Sequence, residues 1–83
     1  MNVKIIEVVA KENYILYCKF DNGKNKKYDI KPLIEKYKIF KKLENNIELF
    51  NKVKIDIGGY GISWNENIDL AVEELWEKGK DEF

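Results

Sequence analysis

Eighty-three residues, 45% of them apolar and 13% aromatic, suffice for one hydrophobic core and cannot be divided between two, so the chain reads as a single folded domain over residues 1–83. With no histidine, no arginine and one cysteine, it lacks the residues for the usual zinc sites, for Ser-His-Asp and Cys-His catalysis and for imidazole acid–base work. Net charge is zero, but its distribution is not even: residues 1–42 hold eleven Lys against five acids, and residues 43–83 hold four Lys against ten.

No apolar run is long enough for a membrane span, and the N-terminus lacks the charged-then-apolar pattern of a secretory signal. A cytoplasmic protein is expected. A lone Cys18 in an apolar stretch agrees with a reducing compartment and reads as a small buried hydrophobe, with no histidine to activate it. Abundant Lys, Ile and Asn carry the imprint of an AT-rich genome, which weakens any argument from the Lys count alone.

In chain order, Val3 to Ala10 is β-branched and nearly continuously apolar, a strand with much of both faces covered. Lys11-Glu12-Asn13 breaks it. Tyr14 to Phe20 alternates, and Asp21-Asn22-Gly23 leads into a second extended run ending at Ile30, a β-hairpin. A two-residue turn at Asn22-Gly23 would oppose apolar to polar residues at every step. A three-residue loop with Gly23 at positive φ instead pairs Phe20 with Lys24, Cys18 with Lys26, Leu16 with Tyr28 and Tyr14 with Ile30, placing Tyr14, Leu16, Cys18, Phe20, Tyr28 and Ile30 on one face. Ile15, Tyr17, Lys19, Asn25, Lys27 and Asp29 take the wetter face.

Lys31-Pro32 ends this sheet segment and suits the first turn of a helix, followed by Leu33, Ile34 and Tyr37 at helical spacing. Phe40 to Leu43 and Asn46 to Lys52 read as short helical turns. Val53 to Ile57 alternates, and after Gly58, Gly59 and Gly61 comes Ile62-Ser63-Trp64, a second hairpin. Asp69 is expected to open the last helix, with Glu73 and Glu74 near its start, Leu70, Leu75 and Trp76 packing, and Lys78-Gly79-Lys80 at its end. Residues 79–83 are expected to fray. The fold class is α+β: a mainly antiparallel sheet of about five strands in the order β-β-β, short helices, β-β, helix.

Phe20-Asp21-Asn22-Gly23, Tyr28-Asp29-Ile30, Leu33, Phe40 with Leu43, Leu49-Phe50, Val53, a glycine turn, Ile62-Ser63-Trp64 and Ile68-Asp69-Leu70 follow one another in an ordered set. Over roughly residues 3–76 this set resembles the small bacterial family catalogued as domain of unknown function 2442. The resemblance implies a compact α+β domain, no established enzymatic activity, and frequent pairing with a neighbouring short gene in toxin–antitoxin-like arrangements. Some members carry a C-terminal helix-turn-helix; this chain, ending at Phe83, is expected to be the stand-alone form. The final family helix often begins with Ser or Asp and then Pro, where Ala71-Val72 stand here, so capping is expected to fall to Asp69 or Asn67.

Carboxylate chemistry through Asp56, Glu66, Asp69, Glu73 and Glu74 has residues but no metal-loop spacing, and no enzymatic activity, metal or cofactor is expected. Gly58-Gly59-Tyr60-Gly61 lacks the following helix and Lys-Ser or Lys-Thr of a phosphate loop and reads as a hairpin turn exposing Tyr60. The strongest contact candidates are Lys24, Lys26, Lys27, Lys31, Lys36, Lys38, Lys41 and Lys42, interleaved with Tyr28, Tyr37 and Phe40, together with Tyr60 and Trp76. Trp64 is expected to be buried beneath the last helix. A solvated Lys-rich face is the plainer account of the cluster; it also fits an acidic protein partner, the acidic C-terminal helix of a second copy, or nucleic acid, although base-specific readout mostly uses arginine. The leading expectation is a non-enzymatic protein-interaction module, with nucleic-acid binding through residues 24–42 as the alternative.

Overall fold

The computed structural model describes residues 2–81, and its Cα radius of gyration of 11.8 Å is that of one compact unit of this length. Among the described residues, seven strands form two antiparallel sheets. The first, in the order β1-β2-β3-β7, comprises β1 (Ile5–Lys11), β2 (Ile15–Phe20), β3 (Asn25–Asp29) and β7 (Lys80–Asp81). The second, β4-β5-β6, comprises β4 (Lys54–Ile55), β5 (Gly61–Ser63) and β6 (Asp69–Ala71). Between the sheets in sequence run α1 (Lys31–Lys36), a 3-10 turn (Phe40–Leu43) and α2 (Ile47–Phe50), and α3 (Val72–Lys78) joins β6 to β7. The fold class is α+β, with two small sheets where the sequence suggested one of about five strands. No helix among the described residues is long and apolar enough to cross a membrane.

The β2–β3 hairpin takes the bulged register: Leu16 faces Tyr28 and Cys18 faces Lys26, Phe20 N–H donates to Lys24 O at 2.9 Å, and Gly23 has φ 90°. The reason is burial. In this register Leu16, Cys18, Phe20, Tyr28 and Ile30 share the buried face, and a slip of one residue would set the apolar residues of one strand against the polar face of the other. The break before β2 is a 3-10 turn, Glu12–Tyr14, in which Asn13 and Tyr14 have φ of 65° and 59°. Asn tolerates that region, whereas Tyr does so at a cost. Tyr14 is held there from two sides: its carbonyl accepts from Ile30 N–H, and its ring packs edge-on against Phe50 at 5.0 Å.

Pro32 stands in the first turn of α1, and the Asn46 side chain caps α2 by accepting from Leu49 N–H at 3.2 Å. Strand β4 is shorter than the alternation of Val53 to Ile57 suggested. Asp56 N–H already donates to Gly61 O, and Gly59 N–H to Asp56 O, so Ile57 lies in the turn and is fully exposed. Gly58 and Gly59 supply positive φ there, and Gly61 has no room for a side chain: a Cβ would stand 2.9 Å from Asp56 Oδ2 and 3.0 Å from Leu70 O.

The largest difference from the sequence reading concerns Asp69. It does not open the last helix but begins β6, opposite Ser63, with Leu70 opposite Ile62 and Ala71 opposite Gly61. Asn65 makes this possible: its side-chain oxygen accepts from Asn67 N–H at 2.8 Å and Ile68 N–H at 3.0 Å, closing a tight turn that returns the chain along β5. The helix cap is neither Asp69 nor Asn67 but Ala71, extended at φ −74° and ψ 151° and without any side-chain cap. Lys80 and Asp81, expected to fray, pair instead with Lys27 and Lys26 as β7; Glu82 and Phe83 of the same expectation lie outside the described residues.

Replacing Ala71 with Ser supplies the missing acceptor for the first-turn N–H groups of α3. We expect Ala71→Ser to raise stability by about 1 kcal/mol, read as an increase of roughly 4–8 °C in Tm; an unchanged or lower Tm would contradict the capping geometry described for α3.

Candidate functional site

The clustered lysines of the basic half do not share one face. Lys26 pairs with Cys18, so it points to the inner side of the sheet, where its side chain is 13% exposed. Its Nζ lies 4.1 Å from the centre of the Trp76 ring, donates to the Trp76 carbonyl in the last turns of α3, and is 3.9 Å from Asp81. This is a cation held by an aromatic face and the negative end of a helix. Trp76 itself is half-buried, edge-on to Phe20 at 5.1 Å, and forms the lid over Lys26. Lys24 reaches Asp81 at 3.8 Å, and Lys31 bonds Asp29 at 2.9 Å and the Asn13 carbonyl. Lys36, Lys38, Lys41 and Lys42 are exposed along α1 and the 3-10 turn, and Lys27 lies on the outer sheet face over Tyr17. Tyr60 is exposed at the β4–β5 turn as expected, with Lys4 over its ring.

What the fold does assemble is a cleft of about 850 Å³ between β3, α1, the 3-10 turn and α3. Its apolar wall comes from Ile15, Pro32, Leu33, Tyr37, Ile39, Phe40 and Leu70; Lys27, Lys36, Lys78 and Lys80 stand around it, with Asp29 and Glu74 as its acids. Each side chain is set by a local rule. Pro32 starts α1 and so places Leu33 and Lys36 on the cleft side, while the C-terminal turn of α3 and β7 bring Lys78 and Lys80 across from them. Both acids are already engaged, Asp29 by Lys31 and Glu74 by the Tyr28 hydroxyl, which donates to it at 2.6 Å. Of the sequence candidates, only Lys27 and Lys36 enter this cleft; Lys78 and Lys80 come from the acidic half, where sequence spacing marked them only as the end of a helix.

Among the described residues, no three of Asp, Glu and Cys gather into a metal-holding group. Asp56 is used structurally, accepting from the Ser63 hydroxyl at 2.7 Å, and Glu74 is used by Tyr28. Cys18 is buried, and burial pushes its thiol up to about 12. The Tyr28 phenol is also raised well above its usual value, first by burial and then by the hydrogen bond to, and the charge of, Glu74. Nucleophilic use of either group at neutral pH is thereby opposed.

Two measurements follow from these placements. Lys26→Met keeps much of the stem and removes the charge; it should lower stability by about 1–2 kcal/mol in urea melts, whereas exposed Lys38→Ala should change it by less than about 0.5 kcal/mol. Equal effects would remove the distinction drawn between the two lysines. For pH, both Cys18 and Tyr28 bind their protons more tightly folded than unfolded. Their contribution is therefore complete below the unfolded values, 9.0 for the thiol and 10.0 for the phenol, and is lost as pH rises above them. Urea melts across alkaline pH should show stability falling from about pH 9 upward, with a shallower fall in Tyr28→Phe.

Comparison with known proteins places residues 5–81 within one family model, described as protein of unknown function (DUF2442). No curated protein and no solved structure matches the chain. The matched span runs from the first residue of β1 to the last of β7, and it takes in both sheets, all three helices and every residue lining the cleft, so the chain belongs to the DUF2442 family.

Proposed function

We propose that this chain is a non-enzymatic, cytoplasmic protein-interaction module whose cleft receives an acidic, apolar-anchored segment of a partner protein. The observation that carries the reading is the cleft's charge and lining together. Its wall is apolar, exposed Lys36, Lys78 and Lys80 stand around it, and its two acids already have partners within the chain. An apolar anchor would replace water along Leu33, Ile39 and Leu70, and carboxylates beside it would meet the ammonium groups. Water-excluded apolar contact would supply most of the affinity, and the lysines orientation and association rate. A toxin-like protein encoded beside this one is the kind of partner that the family resemblance implies.

Affinity purification from the native host, with and without nuclease, tests this directly. A stoichiometric protein that survives nuclease and is lost on Lys78→Glu with Lys80→Glu supports the cleft; we expect at least about a tenfold loss of affinity. A partner retained in full by that variant overturns the assignment of the cleft. Nucleic acid recovered instead, and lost with nuclease and with salt, replaces the reading with the alternative through the Lys-rich segment 24–42 and makes exposed Lys38, Lys41 and Lys42 the residues to change.

A further inference from the structure

Strand β1 ends the first sheet; β4 packs beside it, and among the described residues the backbone of its outer edge is hydrogen-bonded only at the Ile5 end. Ile5 N–H, directed away from β2, donates to Gly59 O at 2.9 Å, so the glycine turn closes the edge at that point. Beyond it, hydrogen-bond phase shows what remains open. Phe20 N–H donates to Lys24 O and Ile30 N–H to Tyr14 O, so even-numbered residues of this strand face β3 and odd-numbered ones face β1. Lys19, Tyr17 and Ile15 stand opposite Glu7, Val9 and Lys11, whose backbone groups therefore bond to β2. The N–H and C=O of Val8 and Ala10 point outward, and no backbone group of another described segment pairs with them.

The side chains along this edge complement themselves. Glu7, Val9 and Lys11 lie exposed on the outer face, and Val8 and Ala10 are half-buried on the inner face, at the margin of the core. Turned antiparallel about a two-fold axis at Val9, a second β1 sets Val9 against Val9, Glu7 against Lys11 and Lys11 against Glu7. Val8 and Ala10 then meet as hydrogen-bonded pairs, as their outward backbone groups require. Sliding by two residues puts a charge opposite Val9 and loses both ion pairs. An edge guarded against pairing carries proline or charges of one sign; this one carries one charge of each sign at the spacing that answers itself.

We infer that residues 7–11 of β1 pair with the same residues of a second copy of this chain, joining two four-stranded sheets into one continuous sheet with two-fold symmetry. The partner is chosen by that self-complementary charge and by the outward backbone groups. The inference is independent of the cleft, because β1 and β7 lie at opposite ends of the sheet and pairing at one leaves the other side open.

Sedimentation of the full chain over a concentration series reads the association directly, and a reversible monomer–dimer equilibrium is the expected result. Glu7→Lys sets like charges opposite each other twice and should weaken the dimer about tenfold; adding Lys11→Glu should restore it. Ala10→Pro should abolish dimerisation while leaving the β1–β2 ladder intact, because the Ala10 N–H is not used within the chain. Thermal melts of each variant confirm that the monomer is folded. A chain that stays monomeric throughout the series, or a dimer that neither Glu7→Lys nor Ala10→Pro weakens, overturns the inference without touching the cleft.

Discussion

The buried indole of Trp64 ties the molecule together. At the end of β5, it donates its N–H to the Phe50 carbonyl at 3.0 Å and lies stacked on the Phe50 ring, with Phe40 edge-on to it on another side. Phe50 in turn meets Tyr14 in the turn just before β2. One polar bond joins the second sheet to the helical connection, and the Phe50–Tyr14 ring contact carries the link on to the first sheet. Such a bond is costly to leave unmade, since the carbonyl at the end of α2 would be stranded away from water. Two sheets of four and three short strands would each be marginal alone; against a shared aromatic row they become one core.

The charge split along the chain is partly resolved within the fold. Residues in and just before β3 are answered by the acidic C-terminal segment: Lys24 and Lys26 by Asp81, and the Tyr28 hydroxyl by Glu74. The acidic half thus folds back onto the basic half, and Lys26, lying under Trp76, is part of the packing. Gly79 allows that closeness, because a Cβ there would stand 2.4 Å from Leu75 O and 3.2 Å from Lys26 Cβ. Lys36, Lys78 and Lys80 around the cleft and Lys38, Lys41 and Lys42 of the helical connection are exposed, and these are the lysines that the proposed partner would meet. Because no residue of β1 lines the cleft, the self-pairing and the partner binding proposed above would not compete for the same residues.

Alternation and turn chemistry were enough to determine the first hairpin from the sequence, down to its register, because only one pairing puts Leu16, Cys18, Phe20, Tyr28 and Ile30 on a common face. The same register already held the clue that Lys26 faces inward, opposite Cys18; a long amphipathic side chain on an apolar face calls for a partner at its tip, and here that partner is Trp76. Pro32 and Asn46 likewise mark helix starts by local rules that tertiary contacts did not override.

Tertiary structure alone decided the rest. Ile68, Leu70 and Val72 alternate as a strand does, but three residues of β-pattern before an acidic helical stretch are too short to be told from a helix start without the partner strand that Asn65 folds them onto. The cleft was invisible for a related reason: Ile15, Leu33, Leu70 and Lys80 come from four separate elements, and their meeting depends on how the two sheets share one core. Local sequence therefore determined which residues turn inward and where the chain bends, since those follow from backbone sterics and side-chain period. Which surfaces then face one another was set by burial across the whole domain, and no stretch of sequence carries that by itself.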